Sequence, residues 1–232
     1  AENINTLVAS KKQLIDGIAH ELRTPLVRLR YRLEMSDNLT DGERVALNRD
    51  IGQLESLIEE LLTYARLDRP RVDLNLKTLD LANWLRERLD DFRTINPDVR
   101  LDLELPQREN IGISDTRLME RVLDNLVNNA LRYAQQRLRV SLWFDGPIGC
   151  LQVEDDGPGI PPEERERVFE PFVRLDPSRD RATGGCGLGL AIVHSIAQAL
   201  SGNVTIESSP LGGASVRFCW PVDLTLREIP LR

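Results

Sequence analysis

A chain of 232 residues with 41% hydrophobic and 29% charged side chains can bury a core, stay in solution and form one or two domains. Its net charge of −7, with a sequence pI of about 5.1, argues against a nucleic-acid partner. Three scattered cysteines without a C-x-x-C pair, and only two histidines, point to a reducing compartment and speak against a disulfide frame, a structural zinc or a histidine-rich metal site.

No apolar run is long enough to cross a bilayer, and no signal peptide is visible. The chain starts inside a helical pattern (Ile4, Leu7, Leu14, Ile18), as a piece cut from a longer protein would. Leu14, Ile18, Leu22, Leu29 and Leu33 recur at steps of three, four or seven, predicting one long helix from about Asn3 to Met35. His20 falls near the edge of that stripe, next to Glu21, with Thr24 one turn further on. Pro25 removes a backbone N–H and crowds the Glu21 carbonyl, which predicts a bend. A histidine beside a carboxylate at a kinked helix edge is a candidate nucleophile, although the same residues also suit an ordinary surface helix. Residues 36–42 have turn composition, and Thr40 with Glu43 has capping-box spacing. The second helix should run to about Leu67, with Leu47, Ile51, Leu54, Ile58, Leu61 and Ala65 on one face. Two such helices form an antiparallel hairpin, whose stripe a second copy would cover in a four-helix bundle, so a homodimer is expected.

Asp68 to Arg71 reads as a linker, after which the code changes. Leu79 to Ile95 is an amphipathic helix, and Val99 to Leu105 alternates as a half-buried strand does. Asn110 to Ile113 is a short strand, and Asp115 caps a helix reaching about Tyr133. Strands follow at Arg139–Phe144 and Cys150–Glu154 around a Gly-Pro turn. A turn-rich stretch with a short helix fills Ile160 to Asp180. A helix over Gly187–Leu200 precedes two last strands, Val204–Ser208 and Ala214–Trp220, and the tail beyond Pro221 carries no signal. Strands in pairs, with helices between the pairs, predict an α+β layer and not a doubly wound parallel sheet.

Three segments of the second part carry chemistry beyond packing. Asn125, Asn128 and Asn129 sit in a helix interior, where asparagine is a poor choice, and Arg132 follows them. Amide oxygens can ligate Mg2+ and arginine can meet phosphate, though a solvated polar face would look alike. Glu154 to Ile160 follows an apolar strand, where a carboxylate can accept from an exocyclic amine and glycines let backbone approach a ligand. The bland alternative is a plain Asp-Gly-Pro turn. Gly184 to Leu190 is glycine-rich backbone opening a helix, which suits an anion. It is not a Walker A loop, and no strand immediately precedes it as a dinucleotide fingerprint requires.

Taken in order, these motifs resemble the cytoplasmic core of a bacterial two-component sensor histidine kinase. His20-Glu-Leu-Arg-Thr-Pro resembles the H box, Asn125 to Tyr133 the N box, and Asp155-Asp-Gly-Pro-Gly the first glycine box. Phe169-Glu-Pro-Phe172 resembles the F box and Gly185 to Leu190 the second glycine box, so that the likeness covers about Leu7 to Pro221. Arg132 stands where lysine is common, and Cys186 where threonine is.

The resemblance implies a dimerisation and histidine-phosphotransfer hairpin over residues 1–68, a Bergerat-type α/β sandwich that binds ATP over 69–222, and a tail over 223–232. It implies autophosphorylation of His20, with Glu21 drawing off a ring proton, and transfer to an aspartate of a response-regulator receiver domain. Thr24 would orient a water for dephosphorylation of that regulator. Asn129 would ligate Mg2+ beside Asn125, Arg132 and Tyr133 would contact the nucleotide, and Asp155 would read the adenine amine. Gly157, Gly159, Ile160 and Phe172 would shape the pocket, Arg174 would meet the transferring phosphoryl group, and Gly185, Gly187, Leu188 and Gly189 would cradle phosphate. Asp176 to Gly185 would form a lid. Any membrane attachment would come from upstream segments, leaving this part on the cytoplasmic side of a bacterial inner membrane. His194 is expected to be structural.

Overall fold

The computed structural model describes residues 26–27, 29–31, 33, 35–36, 39–67, 73–106, 111–175 and 187–222. The hairpin's second helix, α1 (Asp41–Leu67), starts where its capping box places it. The Thr40 N–H and hydroxyl donate to Glu43 Oε2 at 3.0 and 2.7 Å, and the Glu43 N–H returns a bond to Thr40 Oγ1 at 3.3 Å. Leu26 and Leu33, both helical, bury against Ile51, Ile58 and Leu62 of α1. The Arg44 guanidinium donates to the carbonyls of Leu33 (3.1 Å) and Ser36 (2.7 Å), giving partners to acceptors that a helix end leaves open.

The single apolar stripe expected on α1 divides in the structure. Ile51 and Ile58 face the preceding helical stretch, while Leu61, Tyr64 and Leu67 join the core of the following domain. Leu47 and Leu54 stay 41% and 48% exposed among the described residues, and Val27, Tyr31 and Val45 are exposed as well.

The second part begins with a strand the sequence reading missed. β1 (Lys77–Asp80) pairs antiparallel with β3 (Ile111–Ser114). Lys-Thr-Leu-Asp holds one apolar residue, so it offers no alternation to detect. Asp80 then caps α2 (Leu81–Ile95), accepting the Asn83 N–H at 3.0 Å, which starts that helix two residues later than expected.

The main sheet has the order β2-β4-β5-β7-β6. Its strands are β2 (Arg100–Glu104), β4 (Arg137–Asp145), β5 (Ile148–Asp155), β6 (Asn203–Ser208) and β7 (Ala214–Pro221). Only the β2–β4 pair is parallel; β4 and β5 turn back through Gly146 and Pro147. One face of this sheet supplies Leu138, Val140, Leu151, Val153, Val216 and Phe218 to a core shared with α2, α3 (Thr116–Tyr133) and α4 (Gly189–Ala199). Each such side chain contributes roughly 1.5–3 kcal/mol when removed from water. The α+β expectation therefore holds, with helices confined to one side of the sheet.

The other face carries a correction. Cys150 and Cys219, expected to be unpaired, are joined in a disulfide between directly opposed positions of β5 and β7, with their Cα atoms 4.2 Å apart. They lie 69 residues apart in sequence, so only the strand register brings them together. The tail is also less silent than expected. Val222 donates to Pro147 O (2.9 Å), accepts the Ile113 N–H (3.0 Å), and occupies space that Gly112 and Gly149 leave open.

α3 is anchored by Asp115, which is 1% exposed. Its carboxylate accepts the N–H groups of Arg117 (3.1 Å) and Asn75 (2.8 Å) and an ion pair from the Arg117 guanidinium (2.9 Å). Burial pushes this carboxyl up, but the bonds from Arg117 and Asn75 outweigh it and hold it below the usual carboxylate range. A depressed folded-state pKa means stability that is present above the unfolded value of about 4 and lost as pH falls through the lower folded value. Asp115→Ala should cost about 2–4 kcal/mol, from the lost cap and the orphaned Asn75 N–H. Urea unfolding at neutral pH checks the size, and the gap between variant and parent should close in acid.

Candidate nucleotide site

α3 carries its asparagines to one wall of a cleft of about 1030 Å³. Asn125, Asn129 and Arg132 stand along it, and Tyr133 closes that end of the helix. Asn125 Nδ2 donates to the Arg121 carbonyl at 2.7 Å, which leaves Oδ1 turned toward Gly189; a Cβ on that glycine would stand 2.9 Å from it. The first turn of α4 can therefore come close to the amide face of α3 only with glycine there. Gly187, at φ +77°, and Gly189 bound the opening of α4 on the same cleft. N–H groups at such an opening are without helical partners and favour an anion.

On the same cleft β5 ends on Asp155, which is 5% exposed. Both of its hydrogen bonds land on Oδ1, from the N–H groups of Gly157 (2.8 Å) and Ala214 (3.2 Å). That fixes the carboxylate and leaves Oδ2 for an amine donor. Burial pushes this carboxyl above its usual range, against the pull of the two N–H bonds, and the charge of Asp156 adds to the rise. A side chain on Gly157 would press on the Tyr133 carbonyl and on Asp155 itself, and one on Gly213 would collide with Asp155 Oδ1. The adjacent acid works differently. Asp156 accepts the N–H groups of Gln135 (2.8 Å) and Gln136 (3.1 Å) and so ties the exit of α3 to β5.

Of the expected residues, the cleft brings together Asn125, Asn129, Arg132, Tyr133, Asp155, Gly159, Ile160, Arg174, Gly187 and Gly189. Gly157 lies beneath the wall as support for Asp155. Phe172 and Leu188 are not on this cleft. They line a separate apolar groove of about 370 Å³ with Leu26, Leu29, Leu54, Leu57, Ile58 and Leu61. Phe172 has φ +66°, a region costly for an aromatic residue, and is held there by its N–H bond to the Gly187 carbonyl (2.9 Å). Its ring lines the groove on the hairpin side and not the cleft that holds the other expected residues. His20, Glu21, Thr24 and Gly185 lie outside the described residues, as does the expected lid. His194 packs 5.5 Å from the Phe169 ring and beside Gln198, away from the cleft.

Asn128, singled out with its neighbours in the sequence but given no separate role, is on the cleft, and the sequence reading missed Ser56, Glu60 and Ala214, which are also there. Those three are brought in by tertiary packing alone. Among the described residues no group of three or more His, Cys, Asp or Glu sits together to hold a metal. A cation here would be shared between Asn129 and phosphate oxygens, which suits Mg2+, since it keeps few protein ligands. Among the described residues no helix is long and apolar enough to cross a membrane.

Comparison with known proteins matches two parts of the chain. Residues 10–70 match the family model of the His Kinase A (phospho-acceptor) domain. Residues 114–224 match that of the histidine kinase-, DNA gyrase B-, and HSP90-like ATPase. The chain is 64% identical to the sensor protein RstB of Escherichia coli K12 over 222 residues, which is 96% of this chain and 51% of that protein. It is 36% identical to the sensor histidine kinase CpxA of the same organism, over 94% of this chain and 49% of that one. The chain thus spans about half the length of the curated relatives it matches. Among solved structures it resembles full-length ShkA in complex with AMPPNP (TM-score 0.74, 27% identity, 90% of this chain, 45% of that one). It also resembles the histidine kinase AdeS of Acinetobacter baumannii (TM-score 0.65, 28% identity, 88% and 98%). With a phospho-acceptor domain preceding an ATPase domain of this type, and with sensor kinases as its relatives over nearly its whole length, the chain belongs to the sensor histidine kinase family.

Proposed function

We propose that this chain autophosphorylates on His20 with ATP and passes the phosphoryl group to an aspartate of a response-regulator receiver domain. The observation that carries this reading is the cleft itself. It gathers a carboxylate with one oxygen left for an amine, amides, an arginine and a glycine-bounded helix opening on one lining. Those are the groups an adenine and a polyphosphate need. The ShkA structure with AMPPNP, a likeness over 90% of this chain, supports ATP as the ligand.

Glu21 draws the proton from one ring nitrogen of His20, and the other nitrogen attacks the γ-phosphorus. The new N–P bond forms as the P–O bond to ADP breaks, so ADP leaves with the electron pair. Mg2+, when bound, neutralises phosphate charge. Asn129 and Asn125 offer amide oxygens at the helix face, and Arg174 and Arg132 add positive charge along the same cleft. Arg23 and the hairpin faces would dock the regulator, and Thr24 would orient water in the reverse, phosphatase reaction. The whole protein would be a cytoplasmic kinase core joined to a bacterial inner membrane by upstream segments.

Two other classes use similar parts: a docking scaffold with a nucleotide-regulated head, and a clamp ATPase of the chaperone type. Incubation with γ-labelled ATP and Mg2+ separates them from a kinase. Acid-labile label on the protein is expected, and its absence alongside ADP release would favour the clamp.

The homodimer is proposed on the exposed apolar positions of the hairpin, among them Leu47, Leu54 and Val45 (70% exposed). Sedimentation at tens of micromolar should give twice 26.3 kDa. A chain carrying Leu47→Glu and Leu54→Glu should move toward the monomer; a parent that is already monomeric at that concentration sinks the bundle.

A further inference from the structure

Ser208 and Ala214 stand opposite each other where β6 meets β7, and each anchors one end of the segment that follows β5. At the near end, the N–H groups of Ala214 and Gly157 both donate to Asp155 Oδ1. Ser208 acts at the far end through Arg165, which follows the short 3-10 turn Pro162–Glu164. The Arg165 guanidinium donates from Nε to the Ile160 carbonyl (3.2 Å) and from Nη2 to Ser208 Oγ (2.8 Å). One planar fork thus spans two acceptors, which suits arginine and not the point charge of a lysine. Between the two anchors Pro158, Gly159 and Ile160 line the nucleotide cleft together with Asp155, whereas Arg165 and Ser208 lie outside its lining. Gly159, at φ +74°, rests on the β6–β7 turn, where a Cβ would stand 3.2 Å from the Gly213 carbonyl.

We propose that Arg165 is a positioning residue for the base of the nucleotide: by tying Ile160 to Ser208 it holds residues 158–160 in fixed register with Asp155, and so sets the preference for adenine over a 6-oxo purine. The inference rests on the nucleotide reading above and deepens it. A carboxylate rewards the adenine amine only while the base stays within hydrogen-bond distance and in line with it. Both supports of that geometry come from one opposed residue pair, so Asp155 and Ile160 share a single reference in the sheet. Without the bridge, the Ile160 carbonyl and the Ser208 hydroxyl turn to water, and the far end of the segment shifts while Gly157 and Ala214 still hold Asp155. A small displacement of such a support is enough to spoil a directional contact. The amine contact needs the base in place, so it suffers more than any contact made by phosphate.

The test is calorimetric titration of the whole chain with ATP and with inosine triphosphate, each with Mg2+, for the parent, Arg165→Met, Arg165→Lys, Ser208→Ala and the double variant of Arg165→Met with Ser208→Ala. Methionine keeps an apolar stem and loses both donors, so Arg165→Met should weaken ATP by about 10-fold and inosine triphosphate by less than about 3-fold. Arg165→Lys keeps the charge but not the fork, and should behave like the methionine variant. Ser208→Ala removes one anchor from outside the cleft. It should weaken ATP by about 3-fold, and add nothing further to Arg165→Met. Should Arg165→Met fail to fold, Ser208→Ala carries the test alone, through a larger loss for ATP than for inosine triphosphate. Equal losses for both nucleotides, additive losses in the double variant, a lysine variant that matches the parent, or no change at all overturn the proposal while leaving the nucleotide reading intact. Failure of the parent chain to bind ATP overturns that reading and the proposal with it.

Discussion

Replacing Asp155 with asparagine is expected to weaken ATP binding by about a hundredfold, because a buried donor would meet a donor. Asparagine Oδ1 can still accept from Gly157 and Ala214, so the wall keeps its shape. Its Nδ2 takes the place of the free carboxylate oxygen and points N–H groups at the adenine amine. A 6-oxo purine presents an acceptor at that position, so inosine triphosphate should lose far less affinity than ATP. Titrating both nucleotides into parent and variant checks this, and an unchanged ATP affinity would mean that adenine is not read here. A pH series adds a second signature. Burial raises the Asp155 carboxyl above its usual range, so ATP affinity in the parent should fall as pH is lowered through that raised value, whereas the asparagine variant should lack this step. The effect on folding runs the other way. A raised folded-state pKa favours the fold when the group is protonated, and this contribution disappears as pH rises through the folded value.

The second large effect concerns the acceptor. His20→Gln should lower incorporation of acid-labile label from γ-labelled ATP by at least about a thousandfold, since it removes the attacking nitrogen. ATP binding should be unchanged, because Asp155, Asn125 and Asn129 are untouched. With only two histidines in the chain, His194→Gln is a complete control. It should keep its labelling, with some loss of stability, because the ring packs on Phe169. Label retained by His20→Gln and lost by His194→Gln would invert the assignment.

Periodicity and caps carried far. The 3.6-residue stripe and the Thr40–Glu43 box located α1, and Asp115 located the start of α3. The three asparagines and the carboxylate at the end of β5 were legible as separate signals, and the fold brings them to one cleft. What was not legible depends on partners distant in sequence. β1 has too few apolar residues to declare itself and exists because β3 lies beside it. The Cys150–Cys219 bridge follows from the β5–β7 register, which no local spacing encodes. Phe172 belongs to a motif, but its φ of +66° and the Gly187 carbonyl decide where the ring goes. Glu60 looks like any solvated helix residue until α1 is laid against the start of α4.

Val222 links pieces that nothing else among its hydrogen bonds would join. Through the N–H and C=O of one residue it grips the turn between β4 and β5 on one side and the short β1–β3 ribbon on the other. Trimming the chain at Pro221 would keep every strand of the large sheet and still release the ribbon, baring hollows over Gly112 and Gly149. A shortened version ending there should keep its helical spectrum yet become easier for a protease to nick around the ribbon, a reminder that a domain's true edge is set by its last stitch and not by its last strand.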